Sequence, residues 1–182
     1  MNTKTRDQSS VTLSNIMMPE HANPSGNVHG GEIIKLMDNA AGVVAIRHAR
    51  TNVVTARVDS LKFLQPIRVS NVITCCGQLT FVGKSSMEIS VTVTVEDLTK
   101  EEPAKTALTS FFTFVALDDN GYPQQVPGLE LRTQQERLDW EAGRLRYLSY
   151  KEEQKAQKIE RGTRLCPNLL DKQQRVCYYS NN

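Results

Sequence analysis

Four residues between positions 23 and 38 have types and spacing that could do chemistry: Asn23, Gly30, Gly31 and Asp38. Two glycines just ahead of a helix leave backbone N–H groups free at the positive end of its dipole, where negative charge is received. Lacking side chains, they also let a ligand come close. Asp38 lies seven residues past Gly31, about two helical turns, which returns it to nearly the same face. Its neighbours Leu36, Met37, Ala40 and Ala41 are apolar, and a carboxylate turned toward such a core is unfavourable unless it has partners or work to do. The alternative for Asp38 is a side chain that faces solvent or caps a neighbouring element. Together, a carboxylate and an anion-receiving helix start suit general-base chemistry on a group whose charge develops beside the helix. Asn23 sits in a Pro/Gly-rich loop, where asparagine is ordinarily a turn residue. His29 is a second candidate base, although a His beside a Gly-Gly turn is ordinarily a structural hydrogen-bonder and no Ser or Cys nucleophile stands at an elbow beside it.

Positioning these groups requires a loop, a helix and something to pack them on. Glu20 to Gly31, EHANPSGNVHGG, is too rich in Pro, Gly, Asn and Ser for a regular element. Ile33, Ile34, Leu36, Met37, Ala40, Ala41, Val44 and Ala45 then recur at helical spacing on a wide apolar arc. With the small Ala40-Ala41-Gly42 step, this predicts a central helix covered on most sides. Alternation at Val11, Leu13, Asn15 and Met17 predicts a short strand before it. After it the period switches to two, predicting four strands: Val53 to Phe63, Asn71 to Phe81, one centred on Met87, Ile89, Val91, Val93 and Val95, and Ala104 to Leu117. The first ends before Gln65-Pro66, where proline removes a ladder donor. Asp118-Asp119-Asn120-Gly121 is a strong turn. Thr133 to about Arg161 turns to Glu, Gln, Lys, Arg, Leu and Ala and predicts an exposed helix. The expected class is α+β, an antiparallel sheet around a long central helix with an exposed C-terminal helix. Residues 1–10 read as a polar leader, 11–126 as the domain, 127–161 as an extended segment plus helix, and 162–182 as a mobile tail.

Bulk properties remove several function classes. Lys+Arg of 22 against Asp+Glu of 20 leaves a net charge of +2, too small for a nucleic-acid footprint or an electrostatic membrane binder. No run of about 18 apolar residues could span a bilayer and MNTKTRDQSS lacks a signal-peptide core, so a cytoplasmic, soluble chain is expected. Cys75, Cys76, Cys166 and Cys177 have no zinc spacing, and are expected as free thiols with no metal site. A single helix and sheet leave a sheet edge and one helix flank to be covered, so a homodimer is the expected minimum.

Pro24-Ser25-Gly26-Asn27-Val28-His29-Gly30-Gly31-Glu32-Ile33-Ile34-Lys35-Leu36-Met37-Asp38, followed by Ala41-Gly42, resembles the motif of the hotdog acyl-CoA thioesterases of the brain-type acyl-CoA hydrolase group. Arg57-Val58-Asp59-Ser60-Leu61-Lys62-Phe63 resembles that family's strand after the helix, Gly83-Lys84-Ser85-Ser86-Met87-Glu88-Ile89 its CoA-side turn, and Phe111 to Leu117 its last strand. A weaker likeness lies in Gly143 to Leu148. The resemblance implies a hotdog fold, hydrolysis of acyl-CoA, and a catalytic pair of loop asparagine and helix aspartate that falls on Asn23 and Asp38. Eukaryotic relatives fuse two hotdogs, so one hotdog carrying both residue types implies that two copies of the chain build each site. The family's trimers of dimers, a hexamer, are implied in the same way.

The mechanism expected on that basis uses no cofactor; coenzyme A is a moiety of substrate and product. The thioester carbonyl accepts from the Gly31 N–H, with Gly30 as a second donor, an effect worth about 3 kcal/mol per well-placed donor. Asp38 activates water as general base, preferred over direct attack to a mixed anhydride, and Asn23 from the partner holds the water or the carbonyl. The Gly83-Lys84-Ser85-Ser86 turn, with a cation, two hydroxyls and backbone donors, is the candidate site for CoA phosphates; without the resemblance it reads as a charged β-turn. Arg57 is a second phosphate candidate, or pairs with Asp59 on its own strand. Leu36, Val43 and Val44 are the candidates to line the acyl chain between subunits. Two other functions compete: a dehydratase or hydratase using His29, and a non-catalytic acyl-CoA sensor.

Overall fold

The structure is a computed structural model that describes residues 3–165. The body comprises residues up to Gly143; from Arg144 on, the chain forms a unit of its own. Its elements are β1 (Thr3–Thr5), β2 (Val11–Ile16), a 3-10 turn (Pro19–His21), α1 (Gly30–Ala49), β3 (Asn52–Val58), β4 (Val72–Val82), β5 (Ser86–Glu96), β6 (Lys105–Leu117), β7 (Gly128–Glu130) and α2 (Gln134–Leu165). Five strands form one antiparallel sheet in the order β2-β4-β5-β6-β3, and α1 packs against all five. The expected α+β arrangement of a sheet around a central helix is the one observed.

Small residues set how closely α1 approaches the sheet. A Cβ at Gly77 of β4 would lie 3.1 Å from Val44 and 3.5 Å from the Ala40 carbonyl, so the helix backbone sits almost on the strand. Ile33, Met37, Ala40, Ala41, Val44 and Ala45 turn inward to meet Ile73, Leu79, Met87, Ile89, Val91 and Phe112, giving one contiguous core. Coverage of α1 is less complete than its wide apolar arc predicts. Lys35, Asn39, Ile46 and Arg47 are exposed, leaving one helix face open. Each end of α1 is capped: the His29 side chain caps the start, and Arg50 in the left-handed conformation ends it, its backbone N–H donating to the Ile46 carbonyl.

Three expectations are revised. The strand after α1 stops at Val58 rather than Phe63. A bulge between Thr55 and Arg57 shifts its register on β6, after which the Asp59 N–H to Phe111 and the Leu64 N–H to Ala107 hold the chain at isolated points. Alternation in sequence continued past the place where the ladder could follow it. Residues 3–10, read as a polar leader, are built into the body: β1 pairs in parallel with β7, and Lys4 donates to the Arg47 and His48 carbonyls, placing a cation at the negative end of α1. Helix α2 begins where expected, with Thr133 and Glu136 forming a reciprocal cap, and reaches Leu165. The tail expected over 162–182 lies outside the described residues from 166 on, as do Cys166 and Cys177; Cys75 and Cys76 are free thiols. Beyond Gly143, α2 carries its own one-turn contacts, such as the Lys151 ammonium 4.6 Å from the Tyr147 ring.

Candidate active site

The loop before α1 is held by its own backbone. Ala22 and Val28 bridge antiparallel, the Asn23 N–H donates to the Asn27 carbonyl at 2.7 Å, and the Gly26 N–H to the Asn23 carbonyl at 2.9 Å. Gly26, at φ 79, makes the reversal. Inside it, Asn23 Oδ1 accepts from the N–H groups of Ser25 at 2.9 Å and Asn27 at 3.2 Å. Asn23 is thus the turn residue its composition predicted, and the same bonds orient its amide. With Oδ1 committed to two backbone donors, Nδ2 is left as a fixed donor that has no partner among the described residues.

At the helix start the structure corrects the expected geometry. Gly30 and Gly31 are the first two residues of α1, not the step before it. His29 occupies the N-cap, and its Nδ1 accepts from the Gly31 N–H at 3.0 Å. The donor first in line to receive a carbonyl oxygen is therefore already bonded. Glu32 donates to the His29 carbonyl, which leaves the Gly30 N–H as the helix-start donor with no partner among the described residues. The bond to Gly31 also gives His29 the structural role expected of it: Nδ1 is an acceptor, so the neutral ring carries its proton on Nε2.

Asp38 is half-buried. One carboxylate oxygen, Oδ1, accepts from the Thr55 hydroxyl at 2.9 Å, and Asp38 shares its flank of α1 with exposed Lys35 and Asn39. The expectation of a core-facing carboxylate gives way to one at the helix flank, steadied by β3. Thr55 is a site residue that the sequence pattern does not single out. Nothing local in sequence marks it, because only the pairing of β3 with β6 turns it toward the helix. Thr55 pairs with Phe114, and Phe114 with Met87, forming a row under α1; the Phe114 ring lies 3.8 Å from a Cβ built on Gly42.

The Gly83–Ser86 turn is a hairpin end in which the Gly83 N–H closes on the Ser86 carbonyl at 2.8 Å. The Ser85 and Lys84 carbonyls accept from Ala116 and Val126. One expected backbone donor is therefore used, while the exposed Lys84 ammonium has no partner among the described residues. Ser86 pairs with Val115, which pairs with Val54, so the turn lies two strands from β3, roughly 10 Å across the sheet. Arg57 forms an ion pair with Asp59, the alternative left open for it. Of the acyl candidates, Val44 is fully buried against β4 and borders no open surface. Leu36 and Val43 lie about 160° and about 140° around the helix from Asp38. The three do not converge with the aspartate in one chain, because a 3.6-residue repeat sends neighbours two positions apart to opposite flanks.

A different apolar space exists at the helix start. A cavity of about 390 Å³ is bounded by Val28, Gly30, Ile33, Phe63, Leu64 and Ile67 among others.

The Thioesterase superfamily sequence model matches residues 25–102. An acyl-CoA thioester hydrolase of Bacillus subtilis is 39% identical over 129 residues, covering 71% of this chain and 74% of that protein. The chain belongs to this hotdog thioesterase family. The cytosolic acyl coenzyme A thioester hydrolase of Mus musculus is 42% identical over 151 residues, 82% of this chain but 39% of the mouse protein, so the chain spans about two fifths of that relative's length. An acyl-CoA hydrolase of Staphylococcus aureus, solved with butyryl coenzyme A, coenzyme A and coenzyme A disulfide, aligns with a TM-score of 0.74 at 30% identity, covering 91% of this chain and 95% of its own. The same enzyme has been solved with an asparagine, an aspartate or a threonine replaced by alanine. Their separations in that enzyme, fifteen and seventeen positions, equal those of Asn23, Asp38 and Thr55 here. An apo-hexameric acyl-CoA thioesterase aligns with a TM-score of 0.79 at 29% identity, covering 84% of this chain and 97% of its own.

Proposed function

We propose that this chain hydrolyses acyl-CoA thioesters to the free acid and CoA, at sites built from two copies of itself. The observation that carries the reading is the Asp38 carboxylate, held by Thr55 on a flank of α1 left open by its own chain. The family membership and the matching asparagine, aspartate and threonine spacing support it.

The thioester carbonyl oxygen is received by the Gly30 N–H at the positive end of α1, the Gly31 N–H being held by His29. Asp38 Oδ2 takes a proton from water as that water attacks the carbonyl carbon, while Thr55 fixes the other oxygen and so the direction of the free lone pairs. Asn23 Nδ2, aimed by the turn that binds its Oδ1, donates to the water or the carbonyl. The tetrahedral intermediate collapses with expulsion of CoA thiolate, a good leaving group, and no cofactor is required. Lys84 with the Ser85 and Ser86 hydroxyls takes the CoA phosphates.

In one chain Gly30 and Asp38 are eight residues apart, about 12 Å along the axis, too far for one carbonyl and its attacking water. A two-fold axis crossing α1 midway between them sets Gly30 and Asn23 of one protomer beside Asp38 of its partner, and the reverse. Edge strand β3 exposes Val54 and Val58, a surface that pairing or packing between protomers would cover. Three such dimers would form the hexamer named for the relatives. The mouse relative is named cytosolic, and the same compartment is proposed here. His29, engaged as the helix cap, does not favour the dehydratase alternative.

The direct test is Asp38→Asn, followed by release of free CoA thiol from acyl-CoA. It removes the base while keeping shape, and should lower kcat by roughly 100-fold or more with an unchanged fold. Near-normal turnover would reject the mechanism.

A further inference from the structure

The three residues expected to line the acyl chain do not converge with Asp38 in one chain, whereas the helix start borders an apolar cavity. Its volume is about 390 Å³, within the range of small-molecule sites, roughly 300–1,000 Å³. Its walls are the buried side chains of Val28, Ile33 and Ile67 on one side. Phe63, Leu64 and Pro66 close the other. Asn27 and Gln65 are the polar side chains of its lining and no charged residue is among them, so the phosphates of CoA would find no counter-charge inside.

Two further observations decide what it could hold. Phe63 and Leu64 remain 43% and 57% exposed although both belong to the segment that leaves the β3 ladder early. That segment is pinned by the Leu64 N–H to Ala107 and carries the Phe63 ring back over the helix start, its Cζ 3.2 Å from a Cβ built on Gly30. Large apolar side chains kept partly wet around an apolar hollow are unfavourable by themselves and are relieved when an apolar ligand fills it. The hollow also opens beside the Gly30 N–H, the donor assigned to the thioester carbonyl, so a chain attached to that carbonyl carbon would enter directly.

We propose that this cavity is the acyl subsite, and that Phe63 and Leu64 set the length of chain it accepts. The inference rests on the thioesterase reading and adds where its acyl group lies and which side chains limit that group's length. With each methylene occupying about the volume of a water, near 30 Å³, the cavity of about 390 Å³ holds roughly thirteen carbons. Chains beyond that length would gain nothing further from it. The one glycine that a side chain would push into the Phe63 ring, Gly30, is thereby explained as part of the subsite wall.

The test compares butyryl-CoA and decanoyl-CoA on wild type, Leu64→Trp and Phe63→Ala. Leu64 is exposed, so tryptophan there fills the hollow without entering the core. Leu64→Trp should lower the decanoyl-to-butyryl ratio of kcat/KM by at least tenfold, and Phe63→Ala should move the preferred length to longer chains. Equal losses on both substrates, or an unchanged ratio, would overturn the assignment. Affinities of the same two ligands and of CoA, measured by calorimetry on Asp38→Asn forms of each protein, give a readout that needs no turnover. If wild type binds decanoyl-CoA more tightly than CoA and Leu64→Trp removes that advantage, the subsite stands even where no thioester is hydrolysed and the parent reading fails. If the advantage persists in Leu64→Trp, the acyl chain lies elsewhere.

Discussion

Mixing two inactive variants tests the geometry of the shared site most sharply. Asn23→Ala removes the oriented amide, and Asp38→Ala removes the carboxylate; neither side chain is in the fully buried core. Asn23 belongs to the loop that delivers the chain to the start of α1, and Asp38 lies about 12 Å down the helix on the flank that meets Thr55. An isologous two-fold interface then makes each site from Asn23 of one protomer and Asp38 of the other. In a heterodimer, one site carries both substitutions and the other carries neither. Random exchange of equal amounts makes half of the dimers mixed, each with one of two sites intact, so about a quarter of wild-type activity should return. The value is the same whether the dimers are free or grouped in threes. Exchange is followed by native mass spectrometry and activity by CoA thiol release. Full exchange with no recovered activity would mean that both residues serve the same site from one chain, and the shared-site geometry would be wrong.

Three further outcomes follow from individual contacts. Thr55→Val keeps the shape of the side chain but deletes the hydroxyl that steadies Asp38, and should lower kcat by about tenfold with restoration in Thr55→Ser; equal activity in the valine variant would remove Thr55 from the site. Lys84→Ala should raise KM for acyl-CoA about tenfold and have little effect on an acyl thioester of a short thiol without the nucleotide, so equal loss on both would make the turn purely structural. His48 is fully buried, its Nδ1 meeting the Ser9 hydroxyl at 3.1 Å and its Nε2 the Pro127 carbonyl at 2.9 Å. Burial holds its pKa below the usual 6.5, against the opposing Pro127 bond, with the Lys4 charge adding to the lowering. A histidine with a depressed folded-state pKa takes up its proton more readily when unfolded, so stability is full above the unfolded value and falls as pH drops below about 6.5. The Tm of wild type should therefore decline more steeply between pH 7.5 and 5 than that of His48→Gln, and parallel curves would refute the linkage.

Local rules account for how much of this fold and site was legible before any coordinates. Helical periodicity from Ile33, alternation from Met87 to Val95, and the turn chemistry of Asp118 to Gly121 each act over a few residues, and each element formed where those signals stood. Asn23 and Asp38 were legible as residue types at a spacing. Contacts between distant segments were not. The end of β3 depends on which residues of β6 stand opposite, so its bulge and early exit at Val58 left no trace in its own alternation. The same exit carries Phe63 over Gly30 and creates the cavity that replaced Leu36, Val43 and Val44 as the proposed acyl wall. Lys4 and Ser9 read as polar leader because nothing near them in sequence revealed that the end of α1 and its His48 lie against them. Composition and period determined the central helix, the main strands and the pair Asn23 and Asp38. Tertiary structure alone decided which hydroxyl holds the aspartate and where an apolar chain has room. Those choices depend on pairings such as Thr55 with Asp38, seventeen residues apart, whose partners have no influence on each other until the sheet closes around the helix.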